Sequence, residues 1–255
     1  MAPGAERASG AKITAMTGRG LADLHMHTDH SDGWPSPDAL VGYLCRESRL
    51  NVAAVTDHDT LEGAWRAAEI AARMPNAPEV VVGEEVSSRQ GHIVGLFLTT
   101  RVRPGLSARA TIDQIHQQGG IAIAAHPFWR TERQGRRNVV HGVGWDALHL
   151  EFDAVEVENG TPGFYLFNQM ARRLNEVKAV AEVGNSDAHI LDAVGRAYTS
   201  FPGHTAAHLR LAVATATTKA HRDRYRAMGL VRYAAWGLSH QRLPAAPAGA
   251  AGGAG

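Results

Sequence analysis

The chain has 255 residues, a formal net charge of +1, 44% apolar residues and a single cysteine. That length suits one large domain, and the near-neutral balance excludes a mainly electrostatic nucleic-acid or membrane-surface binder. The lone thiol, Cys45, excludes an internal disulfide and fits a cytoplasmic protein. No run approaches the ~18 consecutive apolar residues of a membrane helix.

In chain order, residues 1–20 lack the apolar run of a secretory signal and read as a disordered leader, with Met16 an alternative start to Met1. The segment 22–28 is strand-like, and His25 and His27, two apart, share one side of it. Thr28 to Gly33 turns the chain, and Ser36 caps a helix opened by Pro37. A strand at 52–55 runs into Thr56-Asp57-His58-Asp59, where Asp59 and Glu62 have capping-box spacing ahead of a helix over 61–74. A strand from 80 leads to Glu84 and Glu85, of which alternation lets one point inward. Further strands are expected at 92–96, 121–125, 153–158, 180–184 and 196–201. Helices are expected over 112–118, 164–177 and 205–217, the first stopped by Gly119-Gly120. Residues 130–149 are aperiodic and read as a loop over an active site. Residues 221–240 read as one or two outer helices, and 243–255, rich in Pro, Ala and Gly, as a disordered tail.

Several strands end in metal-ligand side chains: His25 and His27, then His58, Glu85, His92, His126, and finally Asp187 and His189. Alternating βα units argue for a mainly parallel sheet with a site at its C-terminal edge, either a barrel or an open doubly wound sheet. Imidazole mixed with carboxylate suits Mn, Zn or Fe better than Mg alone. Asp23 and Asp57 are placed to accept from ligand imidazole N–H groups. Glu156 and Glu158 share a strand face, so one of them is expected near the site, with Asn159 contacting substrate or turning the chain. His204 and His208 read as a solvated helix face.

These motifs together resemble the PHP (polymerase and histidinol phosphatase) superfamily of metal-dependent phosphoesterases. They are Asp-Leu-His-Met-His at 23–27, Ser-Asp-Gly at 31–33, Thr-Asp-His at 56–58, Gly-Glu-Glu-Val-Ser at 83–87, His-Ile-Val-Gly-Leu at 92–96, Ala-His-Pro at 125–127 and Ser-Asp-Ala-His at 186–189. The resemblance covers roughly residues 21–202. It implies an α/β fold, a distorted (β/α)7 TIM-like barrel; the barrel domain is expected over residues 21–218, and the pattern of the residues themselves adds a helical extension at 219–242. It also implies two or three divalent ions. His25, His27, Glu85 and Asp187 would hold the first; Glu85 would bridge to a second completed by His92 and His126; Asp32, His58 and His189 would hold the third. A water between metals, kept by Glu85, Asp187 and His126, would be the nucleophile. Arg130, three residues after His126-Pro127, is a candidate phosphate clamp, and Arg196 a weaker one.

The implied activity is hydrolysis of phosphate esters, small phosphomonoesters or nucleotides. Hydrolysis of a non-phosphate ester, amide or carbamate, or a non-catalytic metal-binding module, are the alternatives. The expected partner is a small phosphorylated molecule or short nucleotide, without a stable nucleic-acid partner or a membrane. Filled ligand positions favour an enzyme.

Overall fold

The computed structural model describes residues 18–129, 132–134 and 137–240. In chain order these form β1 (Arg19–Asp23), α1 (Pro37–Glu47), β2 (Val52–Val55), α2 (Glu62–Ala71), β3 (Glu79–Ser87), β4 (His92–Leu96), α3 (Ala108–Gln117), β5 (Ile121–Ala124), β6 (Glu132–Gln134), β7 (Arg137–Val139), β8 (Ala154–Asn159), α4 (Tyr165–Lys178), β9 (Ala181–Asn185), β10 (Ala197–Pro202), α5 (Ala206–Ala214), β11 (Lys219–Arg222) and α6 (Ala227–His240). One nine-stranded sheet has the order β11-β10-β1-β2-β3-β4-β5-β8-β9, and β6 and β7 make a separate small hairpin.

The sheet is mixed rather than mainly parallel. Pairs β1–β2, β2–β3, β5–β8 and β8–β9 are parallel, whereas β3–β4, β4–β5, β1–β10 and β10–β11 are antiparallel. The link 88–91 is far too short for a helical crossover, so β4 must fold straight back on β3. The sheet curls into a nearly closed barrel, and its seam is fastened by side chains instead of a ladder. Thr218 Oγ1 donates to Glu182 O at 2.7 Å, and Thr199 Oγ1 exchanges bonds with both backbone groups of Gly184 at 2.9 and 3.0 Å.

Strand alternation sorts the core into an inside and an outside. Val52 and Ala54 face the barrel interior with Leu24, Val94, Ile123, Val183 and Phe201. Ala53 and Val55 face outward against Leu40, Leu44, Ala64 and Ala67 of α1 and α2. Ile112, Ile115 and Leu174 of α3 and α4 cover Ala122, Ala124 and Val155 on the other flank. Helix α5 joins the interior cluster through Leu209, Ala212 and Val213, packing against the interior at the end away from the ligand loops.

Ser36 and Thr205 cap α1 and α5 as expected, accepting from Ala39 N at 3.2 Å and His208 N at 3.2 Å. Asp59 does not cap α2. It lies at φ 53, and its carboxylate accepts from Ser87 N at 2.8 Å, so Leu61 occupies the cap position without a side-chain bond. Arg19 and Gly20, expected in the leader, belong to β1, and the extension expected to be helical from 219 begins as β11. Residues 1–17 of the expected leader and the tail at 243–255 lie outside the described residues. Among the described residues no helix is long and apolar enough to cross a membrane.

Phe201 is fully buried in the interior cluster. Phe201→Ala should lower the unfolding free energy by about 3–5 kcal/mol through lost burial and a residual cavity. Leu211→Ala, at a 45% exposed position of α5, should change it far less. Denaturant titration of both variants checks this.

Candidate metal centre

Strand β1 ends at Asp23, short of the two histidines, and Met26 between them makes only an isolated parallel bridge to Ala188. His27 N donates to Ala188 O at 2.9 Å and Ala188 N to His25 O at 3.4 Å, so the Asp187 segment is tied beside the histidines. Met26 turns out among Leu40 and Leu44, and both imidazoles turn in. The loop after them closes because Gly33 lacks a side chain: a Cβ there would stand 2.5 Å from His27 O. Ser31 N and Gly33 N both donate to Thr28 O, which returns Asp32 to the site.

Asp57 and Asp23 hold this framework, though neither receives an imidazole N–H as expected. Asp57 accepts from Thr28 N at 2.7 Å, Thr28 Oγ1 at 2.6 Å and Ser31 Oγ at 2.6 Å. Asp23 accepts from Ser186 N at 2.9 Å and Gly195 N at 2.8 Å, which anchors the loop after β9. Both carboxylates act on ligand-bearing backbone because each sits on its strand's outward phase, beside the turns.

All nine expected ligand residues converge at the strand ends. Their donor atoms fall into four overlapping groups: His27, Asp32, His58 and His189; His25, His27 and Asp187; His25, Glu85 and His126; and His58, Glu85 and His92. Glu85 is the hub. Its Oε2 lies 3.1 Å from His25 Nε2, 3.3 Å from His27 Nε2 and 3.3 Å from His58 Nδ1. Its Oε1 lies 2.8 Å from His92 Nδ1 and 2.9 Å from His126 Nε2. Asp187 Oδ1 is 3.2 Å from His27 Nε2, and Asp32 Oδ1 is 3.2 Å from His189 Nε2. The groups differ from the expected sets: His27 also joins the Asp32 set, and His92 and His126 part company, the first grouping with His58 and Glu85 and the second with His25 and Glu85.

Glu84 takes the opposite side of β3, yet it is buried, accepting from Val102 N at 2.8 Å, and burial pushes its carboxyl up to about 7. Between Glu156 and Glu158 the structure selects Glu156. A bulge separates the two, so Glu158 swings outward to Arg172 and Asn168. Glu156 Oε1 accepts from His25 Nδ1 at 3.1 Å and Asn185 at 2.9 Å, and its Oε2 accepts from His126 N at 2.7 Å. This is the imidazole-orienting role assigned from sequence to Asp23 and Asp57. Asn159 is fully buried, so it does not meet substrate; it donates to Glu156 at 3.0 Å and Asp187 at 3.1 Å.

The donors fit a divalent ion. His25 Nε2 and His27 Nε2 are sealed from solvent without an aligned hydrogen bond, although carboxylate oxygens crowd both atoms. Nitrogens and oxygens that converge without facing one another suit ligation of a common ion. With no metal bound, burial works against charge on His27, but Asp187 and Glu85 at its Nε2 and the Asp32 charge raise it to about 10. Burial likewise opposes ionised Glu85 and Asp187, and the surrounding imidazoles outweigh it, holding both well below the usual carboxylate range.

His204 N is bonded to the His208 ring on α5, away from the cluster. Arg196 is spent on Asp192 O at 2.9 Å and Arg224 O at 3.2 Å. Arg130 lies outside the described residues. Part of the expected 130–149 loop is the β6–β7 hairpin; beyond it, His141 is buried, stacked on Trp129 at 4.3 Å and edge-on to His92 at 5.1 Å. Trp236, which the sequence reading passed over, reaches the cluster from α6.

Residues 166–218 match a family model described as PHP-associated. An uncharacterized protein of Methanocaldococcus jannaschii is 32% identical over 166 residues, spanning 61% of this chain and 90% of that protein. A solved two-domain protein of Bacteroides vulgatus, containing a predicted PHP-like metal-dependent phosphoesterase, superposes with a TM-score of 0.64 at 19% identity over 86% of this chain and 70% of that one. The chain belongs to the PHP superfamily. The 5'-3' exoribonuclease Rnm of Escherichia coli is 41% identical over 80 residues, which are 30% of this PHP chain and only 27% of that enzyme. These relatives and the donor set support a metal-dependent hydrolase.

Glu85→Ala should strip metal and abolish turnover, whereas Glu84→Ala should keep metal content and lose about 1–3 kcal/mol of stability, because Val102 N–H is left unpaired. Elemental analysis and denaturant titration separate the two. The raised His27 contributes stability that is complete below pH 6.5 and lost as pH rises through about 10. Glu85 and Asp187 contribute stability lost as pH falls through their lowered values. An ion must therefore displace the His27 proton, and metal uptake at neutral pH should release protons. Calorimetry in buffers of different ionisation enthalpy measures this; buffer-independent heats would contradict it.

Proposed function

We propose that this PHP protein hydrolyses phosphate esters, acting on small phosphomonoesters or nucleotides, with two or three divalent ions drawn from Mn, Zn or Fe. The observation that carries the reading is the hub position of Glu85, whose two oxygens face different sets of imidazoles. In this reading His25, His27, Glu85 and Asp187 would hold one ion, Glu85, His92 and His126 a second, and Asp32, His58 and His189 a third. Bound ions would supply Lewis acidity at phosphorus and lower the pKa of water toward neutrality.

The chain's own residues do the rest. Glu156 and Asn159 hold His25, His126 and Asp187 in place, so the donors are preorganised before substrate arrives. Two or three divalent ions outweigh the charges of Glu85, Asp32 and Asp187, which leaves a surplus that attracts an anion. Asp32 and His58, with side chains 34% and 28% exposed, mark the side from which substrate enters. Trp34, two residues past Asp32, and Trp65, in the first turn of α2 after His58, are each 47% exposed. Such flat surfaces suit stacking with a base, which favours nucleotides within the class; the partial likeness to an exoribonuclease supports the same preference.

A panel of phosphomonoesters, nucleotides and short oligonucleotides, assayed with Mn, Zn, Fe and Mg, tests the reading. Inorganic phosphate should compete with substrate at millimolar concentration. No turnover of any phosphoester and no inhibition by phosphate would reject the proposal in favour of a non-phosphate ester, amide or carbamate.

A further inference from the structure

The group containing Asp32 differs from its neighbours in how it is built. The side chains of His25, His27, Glu85 and His126 are at most 1% exposed, but those of Asp32 and His58 stand 34% and 28% open. Asp32 also rides on a turn rather than a strand end. A position made this way lacks the burial and rigidity that fix the inner donors.

Helix α6 supplies what is missing. Trp236 Nε1 donates to Asp32 O at 2.7 Å, pinning the turn that carries the carboxylate. The same indole lies 4.2 Å from the His189 ring, and His189 stacks on His27 at 4.2 Å with planes 17° apart. One side chain thus holds the backbone of one donor and the ring of another. Elsewhere the helix is held by Arg232, which pairs with Asp192 at 2.8 and 3.0 Å, and by Tyr233, which packs on the outer hydrophobic cluster and donates to Thr161 Oγ1 at 3.3 Å, while Gly229 is buried. Met228, Val231 and Leu238 remain 59–61% exposed.

We infer that Trp236 is a positioning residue for the outermost metal position, and that docking of α6 and occupancy of that position are coupled. The inference rests on the metal-dependent reading above. Coupling of this kind is reciprocal: if a docked helix tightens the metal, the metal must tighten the helix. Removing the indole takes one support from the Asp32 turn and one from the His189 ring together, while the inner donors keep their own supports in Glu156 and Asn159.

The test uses the full-length protein. Elemental analysis after dialysis and Mn or Zn titration should show that Trp236→Ala loses one ion per chain, or binds it about tenfold or more weakly, as expected for a lost hydrogen bond to a positioned group. The remaining ions should bind as in the parent. Trp236→Phe, which keeps a ring over His189 without the N–H, should fall between. Trypsin cleavage around Arg226 and Arg232 should slow when Mn or Zn is added to the parent, and respond less in Asp32→Ala. Parent-like stoichiometry and affinity in Trp236→Ala, or cleavage indifferent to metal, would overturn the coupling. If the parent itself binds no metal, the metal-dependent reading falls first, and the two failures are told apart by that measurement alone.

Discussion

A carboxylate almost wholly withdrawn from water, with five imidazoles around it, is the constraint on which this molecule is built. Glu85 at 1% exposure faces His25, His27, His58, His92 and His126. Burying such a group is costly unless opposite charge accompanies it. Protons supply that charge in the absence of metal, and divalent ions supply it more strongly. The layer beneath is polar for the same reason: Asp23, Asp57 and Glu156 are all buried, and each is satisfied by backbone N–H, hydroxyl or amide groups of the ligand loops. The loops are therefore fastened by the same carboxylates that would otherwise have been liabilities.

Two residues of the cluster pay for their aim in backbone strain. His126 lies at φ 25 and Asp187 at φ 52, conformations that cost about 1–3 kcal/mol for residues with a Cβ. Both are held by the same pair of neighbours. Glu156 accepts from His126 N, and Asn159 spans Glu156 and Asp187. The end of β8 thus acts as a brace for donors that arrive from β5 and β9.

The donor residues were legible because strand ends and motif spacing are local properties; alternation turns only one of Glu84 and Glu85 inward, and the family motif at 83–87 picks Glu85. What the sequence concealed are the breaks in that alternation. His25 and His27 do not extend β1, since the strand stops at Asp23 and the chain resumes as a lone bridge at Met26. The bulge after Glu156 puts Glu158 on the other face, which no period-two pattern anticipates. The direction of β4 depends on a link too short for a crossover, a signal present in the sequence but outweighed by the βα rhythm around it. Asp59 had capping spacing, but its left-handed backbone turned the carboxylate to Ser87. Trp236 left no local trace: a tryptophan in an apolar terminal helix reads the same whether it meets solvent, core or a donor cluster.

The Met26–Ala188 bridge joins the first and last parts of the cluster across most of the chain. Its consequence concerns the order in which the protein is made. His25 and His27 leave the ribosome long before Asp187 and His189, so the early donors spend synthesis without the partners that bury them. Contacts this distant in sequence form late and slowly in folding. Until then the emerging segment is an open His-rich ligand for whichever cation is abundant. Any ion that reaches the donors after the barrel closes would enter past Asp32 and His58, whose side chains keep 34% and 28% of their exposure.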